Sequence, residues 1–205
     1  MSKRAFKLHT NKAKPFKLTG KTKWKSILWT GLILGAVLSM VAFGLLQGKG
    51  KILVRDEIES GARALAAGNW SLADSLARDA IHKDPMSENA HLLLATSLSR
   101  QRRYEEAIVS YRNAIRVGRE SPTSHLGLGA ALEGANRRGE AVVEYRRSIV
   151  LDSTFAMGHY HLGMALAGEN YRAEAIRELE EFLRLSPKAP EKARVDSVLT
   201  RLKQP

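Results

Sequence analysis

Apolar side chains return along this chain in short runs with a helical rhythm, and the runs themselves return. In "RYEEAIVSYRNAI", Arg103 to Ile115, Ala107, Tyr111 and Ala114 stand at offsets of four and seven, which is one stripe of a helix with polar residues around the rest. A blurred copy, "RRGEAVVEYRRSI", begins 34 residues later at Arg137. At that spacing Ala73, Ala107, Ala141 and Ala175 align, and four positions after them stand Ala77, Tyr111, Tyr145 and Leu179. Gly61, Ala95, Gly129 and Gly163 align twelve positions upstream, so small residues recur where helices must approach closely. A second stripe (Leu94 and Leu98, Leu128 and Leu132, Leu162 and Leu166) precedes a break in each unit. The pattern therefore predicts two short helices per period, with turns at Gly68-Asn69, Gln101-Arg102, Asn136-Arg137 and Glu169-Asn170. No such pair can bury its stripe alone, whereas stacked pairs make one continuous core.

The predicted fold is all-α: four helix-pair repeats over residues 54–187 (54–87, 88–121, 122–155 and 156–187), closed by a helix within 188–205. Pro85 and Pro187 punctuate the ends of units, and Ser121-Pro122 reads as a helix cap followed by proline in the first turn. In "EKARVDSVLTRLK", Val195, Val198, Leu199 and Leu202 share one face, the profile of a lid on the stack.

Ahead of the repeats the pattern changes to an unbroken apolar run. Residues 26–48, "SILWTGLILGAVLSMVAFGLLQG", contain 23 residues and no charge; as a helix they would span about 34 Å at about 1.5 Å per residue, enough to cross a bilayer. Trp24 and Trp29 stand where indoles favour the headgroup zone, and residues 49–53 form a short hinge. Gly31, Gly35 and Ser39, spaced by four, line one face and make a candidate contact for another membrane helix.

Charge supports that division. The chain carries 33 bases and 21 acids, an excess of twelve, and twelve bases precede the first acid, Asp56. The repeats are therefore neutral and supply no basic excess for nucleic acid. Nine of those bases lie in the arm 1–25 and three follow the span, which by the positive-inside bias keeps the N-terminus cytoplasmic. The repeats are then expected outside the cytoplasm, in the periplasm of a Gram-negative source, with the arm and the span meeting membrane lipid.

Candidate chemistry is sparse. There are no cysteines, so thiolate sites and disulfides are excluded. His91, His125 and His159 recur at 34 residues and would sit on successive helices about 8–10 Å apart, too far for one metal; they are expected to replace packing aromatics. No nucleophile with a base, and no phosphate loop, is visible, so neither enzyme activity nor a cofactor is expected.

The 34-residue period, the small-residue columns, the closing prolines and segments such as "YEEAI" and "NYRAEAI" resemble the tetratricopeptide repeat family over about residues 54–187. The resemblance implies a superhelix whose concave face, lined by the first helix of each pair, binds peptides or proteins. Ile58, Ala62, Leu92, Thr96, Ser99, Arg100, Leu126, Ala130, Glu133, Tyr160, Met164 and Ala167 would face that groove. Family members that capture a terminal carboxylate use Lys, Arg and Asn at such positions; here Arg100 alone has that character. The expected function is a single-pass, membrane-anchored interaction module, an accessory, scaffold or assembly subunit whose partner is a membrane protein or is attached to one. The alternative is a cytosol-facing import or targeting receptor.

Overall fold

The computed structural model describes residues 54–204 together with Val37, Ser39 and Met40. By its contacts the chain divides into two units, Met1–Gly48 and Lys49–Pro205. In the first, the three described residues are helical and exposed. The expected arm, the hinge and the membrane span, with Gly31 and Gly35, lie outside the described residues; Ser39 alone of the candidate membrane contact is described. Among the described residues no helix is long and apolar enough to cross a membrane.

The second unit is built from helices α1 (54–66), α2 (Trp70–Lys83), α3 (Glu88–Arg100), α4 (Tyr104–Val117), α5 (Pro122–Gly134), α6 (Arg138–Leu151), α7 (Ala156–Gly168), α8 (Arg172–Leu185) and α9 (Lys192–Lys203). Polar side chains start several of them. The backbone N–H groups of Leu72, Ala90 and Ser124 donate to the side-chain oxygens of Asn69, Ser87 and Ser121, relieving orphan donors of the first turn.

One device ends α1, α3, α5 and α7. Gly68, Arg102, Asn136 and Asn170 take left-handed backbone with φ of 77°, 62°, 62° and 63°. The N–H of the residue after each donates five positions back, as Arg103 does to Leu98 O at 2.9 Å and Arg137 to Leu132 O at 2.8 Å. This is a Schellman closure, and it sends the chain straight into the next helix. The four left-handed residues are one repeat apart, so the turn recurs as regularly as the apolar stripes.

Packing follows the periodic columns. Ala73, Ala107, Ala141 and Ala175 are completely buried, and their size sets how closely paired helices approach. Leu98, Leu132 and Leu166 occupy one position in successive repeats and are at most 2% exposed, each stabilising the stack by about 2 kcal/mol of removed apolar surface. At Gly129 an added Cβ would lie 2.5 Å from Cε1 of Tyr145, so only glycine lets α5 meet that ring. Val195, Leu199 and Leu202 bury one face of α9 at the C-terminal end of the core.

From α2 onward each helix packs on the next, and α3 also touches α5, as α5 touches α7, while α4, α6 and α8 make no comparable contact with one another. The odd-numbered helices are therefore on the inside of the curve. Across the outside, Arg103 reaches Asp74 at 2.9 Å and Arg137 reaches Glu105 at 3.1 Å. Both pairs tie a repeat to its predecessor; the exposed Arg137–Glu105 pair is individually weak, while Asp74 is buried beneath Arg103.

The recurring histidines are buried as packing residues, and they also hold polar partners. His125 Nδ1 lies 2.7 Å from Glu144 and His159 Nδ1 2.8 Å from Glu178, while the Nε2 atoms of His91 and His159 lie 3.0 and 3.1 Å from the carbonyls of Pro85 and Ser153. An aromatic hydrocarbon ring could not make these contacts. The expectation of simple aromatic replacement is corrected to that extent.

Candidate functional site

The inner face is what the stack leaves unfilled. Between α1 and α3 lies a shallow depression of about 290 Å³ lined by Ile58, Ala62, Leu65, Leu92 and Thr96. Its character is set by what the polar atoms are already doing. The Thr96 hydroxyl donates to the Leu92 carbonyl at 2.8 Å and lies 3.3 Å from the Tyr111 hydroxyl, so it is engaged within the protein. Leu92 and Thr96 are half-buried, Ser99 is half-buried, and Arg100 is exposed at the end of α3.

On α5, Leu126 is half-buried while Ala130 and Glu133 are exposed. On α7, Met164 and Ala167 are half-buried. Tyr160 differs from its expected place on the groove surface: it is buried, with its ring 5.2 Å from Phe182 and 5.1 Å from His161 between centroids. The other eight principal groove positions, from Leu92 to Met164, retain exposed or partly exposed surface. The result is an apolar lane with charge confined to helix ends.

Two neighbours of this lane had no groove role in the sequence. Tyr145 stands in an outer-helix column yet is fully buried and donates its hydroxyl proton to Glu133 Oε2 at 2.9 Å. Burial, and then the Glu133 charge, hold the Tyr145 hydroxyl well above the ordinary tyrosine range. His161 lies 5.4 Å from the Tyr145 ring centroid. Burial pushes its pKa below the usual histidine value, with Glu133 pulling the other way to a lesser degree. Glu133, a groove position already expected from the sequence, is the single Asp, Glu, Lys or Arg in α5 and α7.

Among the described residues no group of three or more His, Asp and Glu side chains is placed to hold a metal. The lane offers half-exposed apolar side chains, one fixed carboxylate and, at the end of α3, one guanidinium. Those are means of gripping another chain by surface complementarity.

Residues 59–110 and 92–154 match the tetratricopeptide repeat family. No curated protein matches the chain in sequence. Among solved structures it resembles pilF of Pseudomonas aeruginosa at 23% identity and TM-score 0.67, covering 75% of this chain and 68% of that one. It also resembles MamA at 18% identity and TM-score 0.65, covering 73% and 80% of the two chains. A third is YrrB, described as a TPR protein with an unusual peptide-binding site, at 18% identity and TM-score 0.60 with coverages of 71% and 74%. At these identities the likeness is one of fold. The chain thus carries tetratricopeptide repeats in an all-α stack, an architecture that generally binds protein partners.

Proposed function

From these repeats we propose that the protein is a single-pass, membrane-anchored interaction module serving as an accessory, scaffold or assembly subunit of a larger membrane complex. The observation that carries the reading is the unfilled inner lane. Leu92, Leu126 and Met164 stay partly exposed while the layer beneath them, with Leu98, Leu132 and Leu166, is sealed. A surface of that kind gains free energy when a partner covers it, at about 25 cal/mol per Å² of apolar area before the costs of association. The charge-free stretch 26–48 and the preceding basic arm support placing the partner at a membrane. A short tether raises the effective concentration of the groove near neighbouring membrane proteins, so weak contacts suffice.

The test is purification of the tagged full-length protein in mild detergent, with identification of what accompanies it. Leu126→Asp on the groove, and Gly31→Leu with Gly35→Leu on the membrane stretch, should each deplete the same integral-membrane partner. Retention of that partner by the folded triple variant would remove both contacts from the reading. Protease added to spheroplasts should cut within residues 54–204; cutting confined to the arm before residue 26 would favour the cytosol-facing receptor instead.

A further inference from the structure

We propose that the C-terminal half of the inner groove selects a protein segment bearing a basic side chain, Lys or Arg, and that Glu133 is the residue that selects it. The proposal rests on the reading of the inner face as a protein-binding groove and adds the chemistry of what binds there.

The first argument is the distribution of charge. Helices α5 and α7, "PTSHLGLGAALEG" and "AMGHYHLGMALAG", contain one Asp, Glu, Lys or Arg between them, Glu133. On the outer helices α4, α6 and α8 every acidic side chain has a Lys, Arg or His nitrogen within 4.0 Å. Glu133 has no such partner among the described residues. Along α4, α6 and α8 the acids are neutralised by the repeats themselves, whereas the exposed acid on α5 is left for something else.

The second argument is that this carboxylate is held in position. Tyr145 donates to Oε2 at 2.9 Å, and the Tyr145 ring is completely buried, so the core fixes the donor and the donor fixes the acid. Within the described chain no hydrogen bond reaches Oε1. A carboxylate with one oxygen anchored and the other open loses little freedom on meeting a cation, which favours a charge-assisted bond over an ordinary surface pair.

The third argument is the wall around it. Glu133 shares a recess of about 180 Å³ with Met164, Gly168 and Arg138. Arg138 is directed to Glu169, with nitrogen and oxygen 3.7 Å apart. Nothing lies within 4 Å of the position a Cβ would take at Gly168, so the recess has open space above it. The polarizable Met164 side chain can cover the aliphatic stem of a Lys or Arg while the cationic end reaches Glu133. His161, kept toward its neutral form by burial, does not cancel the carboxylate charge. An acidic or uncharged segment would leave Glu133 covered and unpaired, a cost that generates specificity.

The experiment is a selection of random 12-residue peptides displayed on phage against the full-length protein in detergent, run in parallel on Glu133→Gln and Glu133→Lys. Gln can still accept from Tyr145, so the first variant removes charge with little change in shape. On the wild type, enriched peptides should carry Lys or Arg flanked by apolar residues. Replacing that basic residue with Gln should weaken binding about tenfold, and the difference should vanish on Glu133→Gln. Glu133→Lys should enrich acidic peptides instead. Peptides without basic enrichment, lost on Leu126→Asp, would overturn the proposal while leaving the groove reading intact. The same basic enrichment on Glu133→Gln as on the wild type would also overturn it. Enrichment of no peptide would defeat the groove reading, and this proposal with it.

Discussion

One added methyl group should destabilise the stack at Gly129 and stabilise it at Gly139. In a helix, replacing glycine by alanine is worth about 1 kcal/mol from propensity alone. At Gly139, in the first turn of α6, a Cβ would meet nothing within 4 Å. Gly139→Ala should therefore keep much of that gain, about 0.5–1 kcal/mol. At Gly129 the same atom would lie 2.5 Å from Cε1 and 2.7 Å from Cδ1 of Tyr145. The ring must retreat by most of an ångström to restore ordinary contact, yet it is fully buried and tied through its hydroxyl to Glu133. Overpacking of that kind costs about 1–3 kcal/mol, and straining the hydroxyl bond adds up to about 1 kcal/mol. The clash exceeds the propensity gain, leaving a net loss of about 1–2 kcal/mol. Thermal unfolding of the full-length protein in detergent, followed by far-UV circular dichroism, measures this as a midpoint lowered by about 2–8 °C for Gly129→Ala and raised by about 1–4 °C for Gly139→Ala. Midpoints are the proper comparison because repeat stacks need not unfold in two states. If Gly129→Ala raised the midpoint as Gly139→Ala does, Tyr145 would not be pinned, and the placement of Glu133 that depends on it would fall as well.

Arg102→Gly should stabilise the fold by about 0.5–1 kcal/mol, because Arg102 bears a side chain at a left-handed position that glycine fills without steric cost; an unchanged or lower midpoint would contradict the closure described for α3. His161 makes stability depend on pH. Its folded pKa lies below the ordinary histidine value, so below about pH 6.5 the unfolded chain binds the proton more readily. This contribution is complete above about pH 6.5 and is lost as pH falls toward the folded pKa. The midpoint should therefore fall less between pH 7.5 and 5.5 in His161→Phe than in the wild type, and equal slopes would refute the assignment. A fragment of residues 51–205 should be soluble and strongly helical, since its core is formed within the second unit; a disordered spectrum would remove the repeat stack as an independently folding unit.

The helix pairs, their turns and the small-residue columns were legible in the sequence because in a stack each repeat meets only its neighbours. The same local problem is solved again every 34 residues, and the solution is written each time in the same columns, from Ala73 to Ala175 and from Leu98 to Leu166. Even the left-handed closures at Gly68, Arg102, Asn136 and Asn170 fall on the predicted turns. The groove was legible only as a set of positions. That Tyr160 turns inward against Phe182, that Tyr145 reaches across from α6 to hold Glu133 on α5, and that His161 on α7 joins them was decided by tertiary structure. These groups come from four helices and break the period, since position 145 is tyrosine only in two of four repeats and position 133 is acidic in one. A periodic pattern records which face of a helix is buried; it does not record how far a side chain extends or which partner across the interface stops it.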